Sequence, residues 1–193
     1  MPEEDEVFSE SENDNENNNE EEITMAGETV GRLKRSALLH YINAAFSTVL
    51  TGASWSVIGK DVEDLSVELN PSTETIKNIL DETSVVDTGY EPSADVDTYY
   101  ADPSDGDFYT QIKDIAMNRK TGEACKTLIL EVLIDKTSGP FDAWVEEVVI
   151  KPTSYGGAQG GVRIPYSITF CGNRQQGTVT IADKVPTFIP ASN

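Results

Sequence analysis

The sequence predicts a mainly β domain, an antiparallel β-sandwich or barrel-like sheet with one flanking α-helix. Three observations carry this. Apolar and polar residues alternate over 162–170 and 178–181, the period of half-buried antiparallel strands, and Leu128, Leu130, Val132 and Ile134 share one face of an extended run. A separate set, Phe108, Ile112, Ile115 and Ala116, keeps the helical period instead. The stretches between them collect Gly, Pro, Asn and Asp, which punctuate chains at turns.

The chain begins with an acidic arm, residues 1–23. Of 193 residues, 34 are acidic and 14 are Lys or Arg, a formal net charge of -20. Eleven of the acids fall within residues 1–22, which hold no base, so residues 23–193 carry only -9. After Met1, Val7 and Phe8 are the only large apolar side chains of that stretch. Such a segment cannot bury enough surface to offset chain entropy and is expected to be disordered alone. Residues 24–193 suffice for one domain, and chains of this size bury about 70% of their unfolded surface.

Leu38, Ile42, Ala45, Phe46 and Val49 come next at helical spacing, so 36–50 reads as a short amphipathic helix opened by Ser36 and ended at Thr51-Gly52. From Trp55 the period changes to two. Leu65, Val67 and Leu69 alternate with Ser66 and Glu68, Asn70-Pro71 interrupts, and 75–80 resumes an extended pattern. Residues 87–107 read as a long loop that Tyr90, Tyr99 and Tyr100 pin to the domain or to a neighbour. The main helix is expected over 105–119. Ser104 and Asp107 stand at capping-box spacing, and Gly122 is placed as its left-handed stop. Leu128, Leu130, Val132 and Ile134 then share one strand face, and 145–151 is a further strand. In 162–170, Pro165 marks an edge or bulge. Gly172-Asn173 and Gln176-Gly177 flank an expected hairpin between the last two strands.

Composition and motifs exclude several function classes. No apolar run approaches the ~18–20 residues that span a bilayer, and the acidic N-terminus lacks the basic-then-apolar layout of a secretory signal. A net charge of -20 opposes binding nucleic acid through phosphate neutralisation. His40 is the sole histidine, which removes multi-histidine metal sites. Cys125 and Cys171 match neither a zinc spacing nor a disulfide framework, and both are expected as small buried side chains in a reducing compartment. Gly59-Lys60 is followed by Asp61, and Ser54 stands where a phosphate loop needs its first glycine. Gly156, Gly157, Gly160 and Gly161 join two strands and do not open a helix. No nucleophile elbow exists. Asp95, Asp97, Asp102, Asp105 and Asp107 miss the calcium-loop spacing and read as solvation and capping. No enzyme, cofactor or metal is expected.

Short motifs then recur in a recognisable order. They are Gly31-Arg32-Leu33-Lys34-Arg35 with His40-Tyr41-Ile42, the run 59–65, Asn70-Pro71, Asn78-Ile79-Leu80-Asp81, and Gly89-Tyr90-Glu91-Pro92. Ser154-Tyr155-Gly156-Gly157, Gly172-Asn173-Arg174 and Gln176-Gly177-Thr178 complete the set. Together they resemble the major tail proteins, or tail tube proteins, of long-tailed bacteriophages; the acidic arm lies outside the resemblance. It implies a β-sandwich or barrel-like fold with a flanking helix, a long stacking loop and terminal arms. It also implies hexameric rings that stack into a tube whose lumen conducts DNA during ejection. The implied partners are other copies of the chain, a tape-measure protein inside the tube, and tail-tip and terminator proteins at its ends. DNA would pass without specific binding, and no membrane is involved. The implied location is the virion tail, assembled in the host bacterial cytoplasm.

Within that reading, 51–64 is the expected stacking loop, with Trp55, Lys60, Asp61 and Glu63. Gly89, Tyr90, Pro92, Tyr155, Gly156, Gly157, Gly172, Asn173 and Gly177 are the motif turns. A lumen must not hold DNA, and each Lys or Arg meeting a phosphate would release counterions and create a sticky point. Glu68, Glu131, Asp135, Glu146 and Glu147 are therefore the expected lumen-facing acids. Two other readings are the tube of a phage-derived injection device and an acidic DNA mimic; the loading of charge into one arm speaks against the mimic. Deleting residues 1–22 is expected to ease polymerisation by removing like charge. An unchanged critical concentration and rate would refute that.

Overall fold

The computed structural model describes residues 31–60 and 62–192. The expectations for the acidic arm and for Asp61 lie outside the described residues. The strands are β1 (Leu38–Asn43), β2 (Trp55–Ile58), β3 (Val67–Glu68), β4 (Pro71–Lys77), β5 (Thr83–Tyr90) and β6 (Ser93–Val96). Helix α1 (Asp107–Asn118) precedes β7 (Lys126–Leu133), β8 (Phe141–Pro152), β9 (Tyr166–Phe170), β10 (Gln175–Ala182) and β11 (Val185–Pro190). Among the described residues, nine strands join one antiparallel sheet, ordered β2-β1-β7-β8-β9-β6-β3, with β10 and β11 added at β8. Strands β4 and β5 form a sheet of their own. The architecture is the mainly β, one-helix fold expected, a sheet curled into a half-barrel.

The helix expected over 36–50 is instead β1 and the turn after it. Leu39 is as apolar as Leu38 and Ile42, Tyr41 is buried as well, and a strand buried on both faces gives a run that periodicity alone cannot separate from a helix. Ile42 faces the core beneath α1, while Tyr41 faces the opposite core. Asn43 organises the turn that leaves β1. Its Oδ1 accepts the Ala45 and Ser54 amides, and its Nδ2 donates to Ser47 O.

Two cores lie on opposite faces of the sheet. One packs Ile129, Val148, Ile150 and Ile168 under Phe108, Ile112 and Ala116 of α1. The other gathers Leu128, Leu130, Val132, Phe141, Ala143, Val145 and Val179, with Phe188 and Ile181 of the last hairpin packed against them. The face expected for 128–134 is thus confirmed, and its partner face is buried too.

The hairpin expected between the last two strands does not form. β9 pairs with Val148–Pro152 of β8, and β10 pairs with Phe141–Val145, so both take the same edge of one long strand. The connection between them bonds to the middle of β8. Cys171 N donates to Glu147 O (2.9 Å), Glu147 N donates to Asn173 Oδ1 (3.1 Å), and Gly172 N donates to Glu146 Oε1 (2.8 Å). β10 makes its hairpin with β11, through Asp183 and Lys184, both at positive φ. Two such residues suit the twist of a two-residue turn. Pro186 and Pro190 are tolerated because β11 is an edge strand.

Other expectations need correction. The long loop over 87–107 contains the end of β5 and all of β6. Gly106 caps α1, so Ser104 and Asp107 form no capping box, and Asp102 instead accepts the Ser104 amide (2.9 Å). Arg119, in the left-handed conformation, ends the helix in place of Gly122. Cys125 is buried, but Cys171 is exposed because it lies in the β9–β10 connection.

Gly177 sits where β10 meets β11. A Cβ there would stand 2.3 Å from Ile189 O and 2.6 Å from the Phe188 ring. Gly177→Ala is expected to destabilise the fold by about 1–3 kcal/mol through overpacking, read as a lower denaturant midpoint. An unchanged midpoint would mean that β11 is not seated on β10 in this way.

Candidate assembly surfaces

The β4–β5 hairpin is the most exposed element of the described chain. Every one of its strand residues is exposed except half-buried Gly89. Its base is tied down by Asn70, whose Nδ2 donates to Glu91 O (3.0 Å) and Ser93 Oγ (3.1 Å). Its tip is built by Asn78, whose Oδ1 accepts the amides of Leu80 (2.9 Å) and Glu82 (3.0 Å). That geometry presents Ile79 fully exposed and Leu80 at 72% exposure, with Ile76, Val85 and Val86 behind them. An isolated two-stranded hairpin is at best marginally stable in water, and a run of exposed apolar side chains marks a contact surface.

The segment expected to be the stacking loop is a different kind of element. Within 51–64, Trp55 is half-buried on β2 and packs against the second core. Lys60 Nζ lies 2.6 Å from Asp102 Oδ2 and 3.6 Å from Asp105 Oδ1, clasping the segment to the turn before α1. The Lys60 hydrogen bond holds the Asp102 carboxyl well below its usual range. Tyr99, buried against Phe108 and Tyr166, donates to Asp105 Oδ2 (3.1 Å). Burial first, and the Asp105 charge next, push its hydroxyl up. Glu63 is exposed. The hairpin as a projecting element escaped the sequence-based expectation, although Asn78 and Asp81 around two apolar residues are its local signal.

Strand register sorts the five expected lumen acids. One row runs Glu68, Ser93, Thr169, Val149, Lys126 across β3, β6, β9, β8 and β7. The next runs Asp95, Ser167, Lys151 on the same face, and alternation along β8 adds Glu147. These residues are exposed or half-buried, on the side of the sheet away from α1. Glu68, Asp95 and Glu147 stand against Lys126 and Lys151 there, and Lys126 pairs with Glu147 (3.5 Å) and Glu123 (2.7 Å). Asp135 is exposed just after β7, not on a strand.

Glu131 and Glu146 are on the opposite face, buried in this subunit. Arg174 Nη1 pairs with Glu131 Oε2 and lies 3.4 Å from Glu146 Oε2, and its guanidinium lies over the Trp144 ring. His40 Nε2 is 3.3 Å from Glu131 Oε1. Burial pushes the Glu131 carboxyl up, but His40 and Arg174 beside it outweigh burial, and its net shift is downward. A depressed carboxylate contributes stability above its unfolded value of 4.5 and loses it as pH falls through the folded value. The acid limb of the stability curve should therefore be shallower in Glu131→Gln than in the parent. Parallel limbs in denaturant titrations below about pH 4.5 would refute this.

The motif turns have distinct local jobs. Gly89 follows the bulge that shifts the β4–β5 register, and Asp87 Oδ1 accepts its amide (2.9 Å). Tyr90 ends β5 exposed, and Pro92 O accepts the Phe170 amide. Tyr155 is exposed, Gly156 bridges Arg163, and a Cβ on Gly157 would strike Gly161 O at 2.0 Å. Gly172 and Asn173 bond to the middle of β8. Among the described residues, no group of three or more His, Cys, Asp or Glu side chains is placed to hold a metal ion, and no helix is long and apolar enough to cross a membrane.

No protein-family model matches the chain, and no curated protein matches it. A solved structure is similar: the SPP1 tail tube, determined by solid-state NMR and cryo EM. It superposes with a TM-score of 0.52 at 15% identity, covering 75% of this chain and 78% of that one. The likeness establishes a shared fold, that of a phage tail tube protein.

Proposed function

We propose that this chain is a structural subunit of a phage tail, a protein that self-assembles into the tail tube. The observation that carries the reading is the fold shared with the SPP1 tail tube. The exposed apolar hairpin supports it, because a subunit destined for a tube must keep such a surface for its neighbours. In the finer reading, subunits close into hexameric rings and the rings stack. The β4–β5 hairpin takes the axial role that the resemblance to tail tube proteins gave to 51–64. Joining sheets around a ring also removes open strand edges, which otherwise invite uncontrolled pairing.

The open sheet face bearing Glu68, Asp95, Glu147, Lys126 and Lys151 lines the lumen in this reading. Its charges are mixed and nearly balanced, and Lys126 is already engaged by two carboxylates. DNA would meet few free cations there, so it would release few counterions and slide past. A tape-measure protein would occupy the lumen before DNA does, and tip and terminator proteins would close the ends. The subunit has a virion location and no catalytic role.

Negative-stain microscopy of the purified full chain, across concentration and salt series and beside light scattering, tests this. Tubes or rings are the expected result. Small monodisperse particles under every condition, including after addition of a tail initiator complex, would overturn the reading.

A further inference from the structure

Among the described residues the main sheet ends in three strands with a free edge, β2, β3 and β11, and their backbones are not equally able to take a partner. β3 is only two residues long. In β11, Ala191 N donates to Gln176 O (3.0 Å), which fixes the alternation of that ladder. The backbone groups of Pro186, Phe188 and Pro190 therefore point outward, and the two prolines have no N–H to offer. Proline on an edge blunts it against strand pairing.

β2 carries no such protection. Ala44 N donates to Ser54 O (2.7 Å), so Ile42–Ser56 and His40–Ile58 are the bonded pairs of the β1–β2 ladder. Trp55 and Val57 turn their N–H and C=O groups away from β1, and no backbone partner meets them among the described residues. A cleft opens at the Ile58 end of the strand, lined by Val57, Val62, Tyr99, Tyr100 and Phe108. A second hollow shares Val62 and Tyr100 with it and reaches Arg163. Arg163 is exposed and has no ion-pair partner among the described residues.

The β4–β5 hairpin is complementary to this site. Asn78 N donates to Glu82 O (3.0 Å), so Thr83 and Val85 of β5 also turn their backbone groups outward. No proline interrupts β5, and Ile79 and Leu80 project from the tip. Between residues 71 and 90, four acids stand against one cation, a net charge of -3 (one minus four). That cation, Lys77, is already paired with Asp81.

We infer that the open edge of β2 and the cleft at its end receive the β4–β5 hairpin of a second copy of this chain. β5 adds to β2 as an antiparallel strand, Ile79 and Leu80 fill the cleft, and the acidic tip lies against Arg163. The chain directions agree, since β2 runs toward the cleft and β5 runs away from the tip. In strand addition the main chain supplies affinity and a pocket supplies specificity. Donor and receptor are different surfaces, so the contact is heterologous and propagates from copy to copy. That the partner is another copy rests on the tail tube reading; the open edge and the cleft do not.

Proline substitution in the full-length protein tests the contact. Val57→Pro removes one outward donor and leaves both bonded pairs of β2 in place, and Val85→Pro does the same for β5. Each is expected to raise the critical concentration for polymer by about 10- to 100-fold. The circular dichroism and denaturant midpoint of the monomer should stay close to those of the parent. A folded Val57→Pro that polymerises like the parent would overturn this contact and leave the tail tube reading standing. A parent that forms no polymer under any condition would overturn both. If either variant fails to fold, amide hydrogen exchange in the parent decides. The amides of Trp55, Val57, Thr83 and Val85 should exchange freely in the monomer and become protected in the polymer. Free exchange that persists in the polymer, or protection already present in the monomer, would overturn the inference.

Discussion

Replacing Ile79 and Leu80 together by aspartate is expected to raise the critical concentration for tube growth by roughly 100- to 1,000-fold. The subunit itself should remain folded. Both side chains sit at the tip of the β4–β5 hairpin, exposed to solvent, and the turn is held by Asn78 through its side chain, not by packing of these two. Surface substitutions away from caps and cores usually change stability by less than about 0.5 kcal/mol. An apolar anchor seated in a neighbouring subunit contributes about 2 kcal/mol or more when it is a hot spot, and two such anchors compound in the assembly equilibrium. The experiment pairs sedimentation of polymer against concentration with circular dichroism of the monomer. Unimpaired growth would remove the hairpin from the axial contact and return attention to the clasped segment around Lys60. Unfolded monomer would mean that the tip packs on its own domain.

The contrast between those two segments shows what the sequence could and could not disclose. Strand β10 was legible because alternation records the face it commits to a core, and β7, buried on both faces, because Leu128, Leu130, Val132 and Ile134 keep the period of two within an apolar run too short for a helix. Helix α1 was legible because Phe108, Ile112 and Ala116 all bury on one stripe. β1 was not, since Leu38 and Ile42 continue at helical spacing into Ala45, Phe46 and Val49, which belong to the turn after the strand. β6 was hidden by composition: Ala94 and Val96 are buried, but Asp95 and its Pro- and Asp-rich flanks carry the signal of a loop. β11 was hidden by Pro186 and Pro190, which an edge strand accepts.

The buried cluster was illegible for a different reason. Alternation assigns Glu131 and Ile129 to one face, but not the partner that makes burial of a carboxylate tolerable. Arg174 lies far along the chain from Glu131 and reaches it only because β9 and β10 share one edge of β8. The same geometry moved two of the five expected lumen acids into the interior of the subunit, leaving Glu68 and Glu147 on the open face.

Arg174→Met should expose how much the fold depends on that cluster, with an expected loss of about 2–3 kcal/mol. Methionine keeps much of the apolar stem and its contact with Trp144, so lost packing is kept small. What disappears is the one cation that serves two carboxylates whose side chains are 8% and 4% exposed. Removing one partner of a fully buried pair costs about 3–5 kcal/mol. The lower figure applies because the Arg174 side chain is itself 42% exposed, so water already screens part of the attraction. Arg174→Lys tests geometry apart from charge, since an ammonium cannot bridge two carboxylates as a planar fork does. The deciding measurement is a double-mutant cycle by equilibrium denaturation. Glu146→Gln retains an oxygen for the Gly172 amide while removing one negative charge, so it should recover part of the loss in the Arg174→Met background. A coupling of about 0.5–3 kcal/mol is the range for residues in one such network. Additive effects, or an Arg174→Met variant as stable as the parent, would mean that Glu131 and Glu146 are carried without the guanidinium. The β9–β10 connection would then be held to β8 by the Cys171–Glu147 backbone bond and by the bonds that Asn173 Oδ1 and Glu146 Oε1 accept from backbone amides.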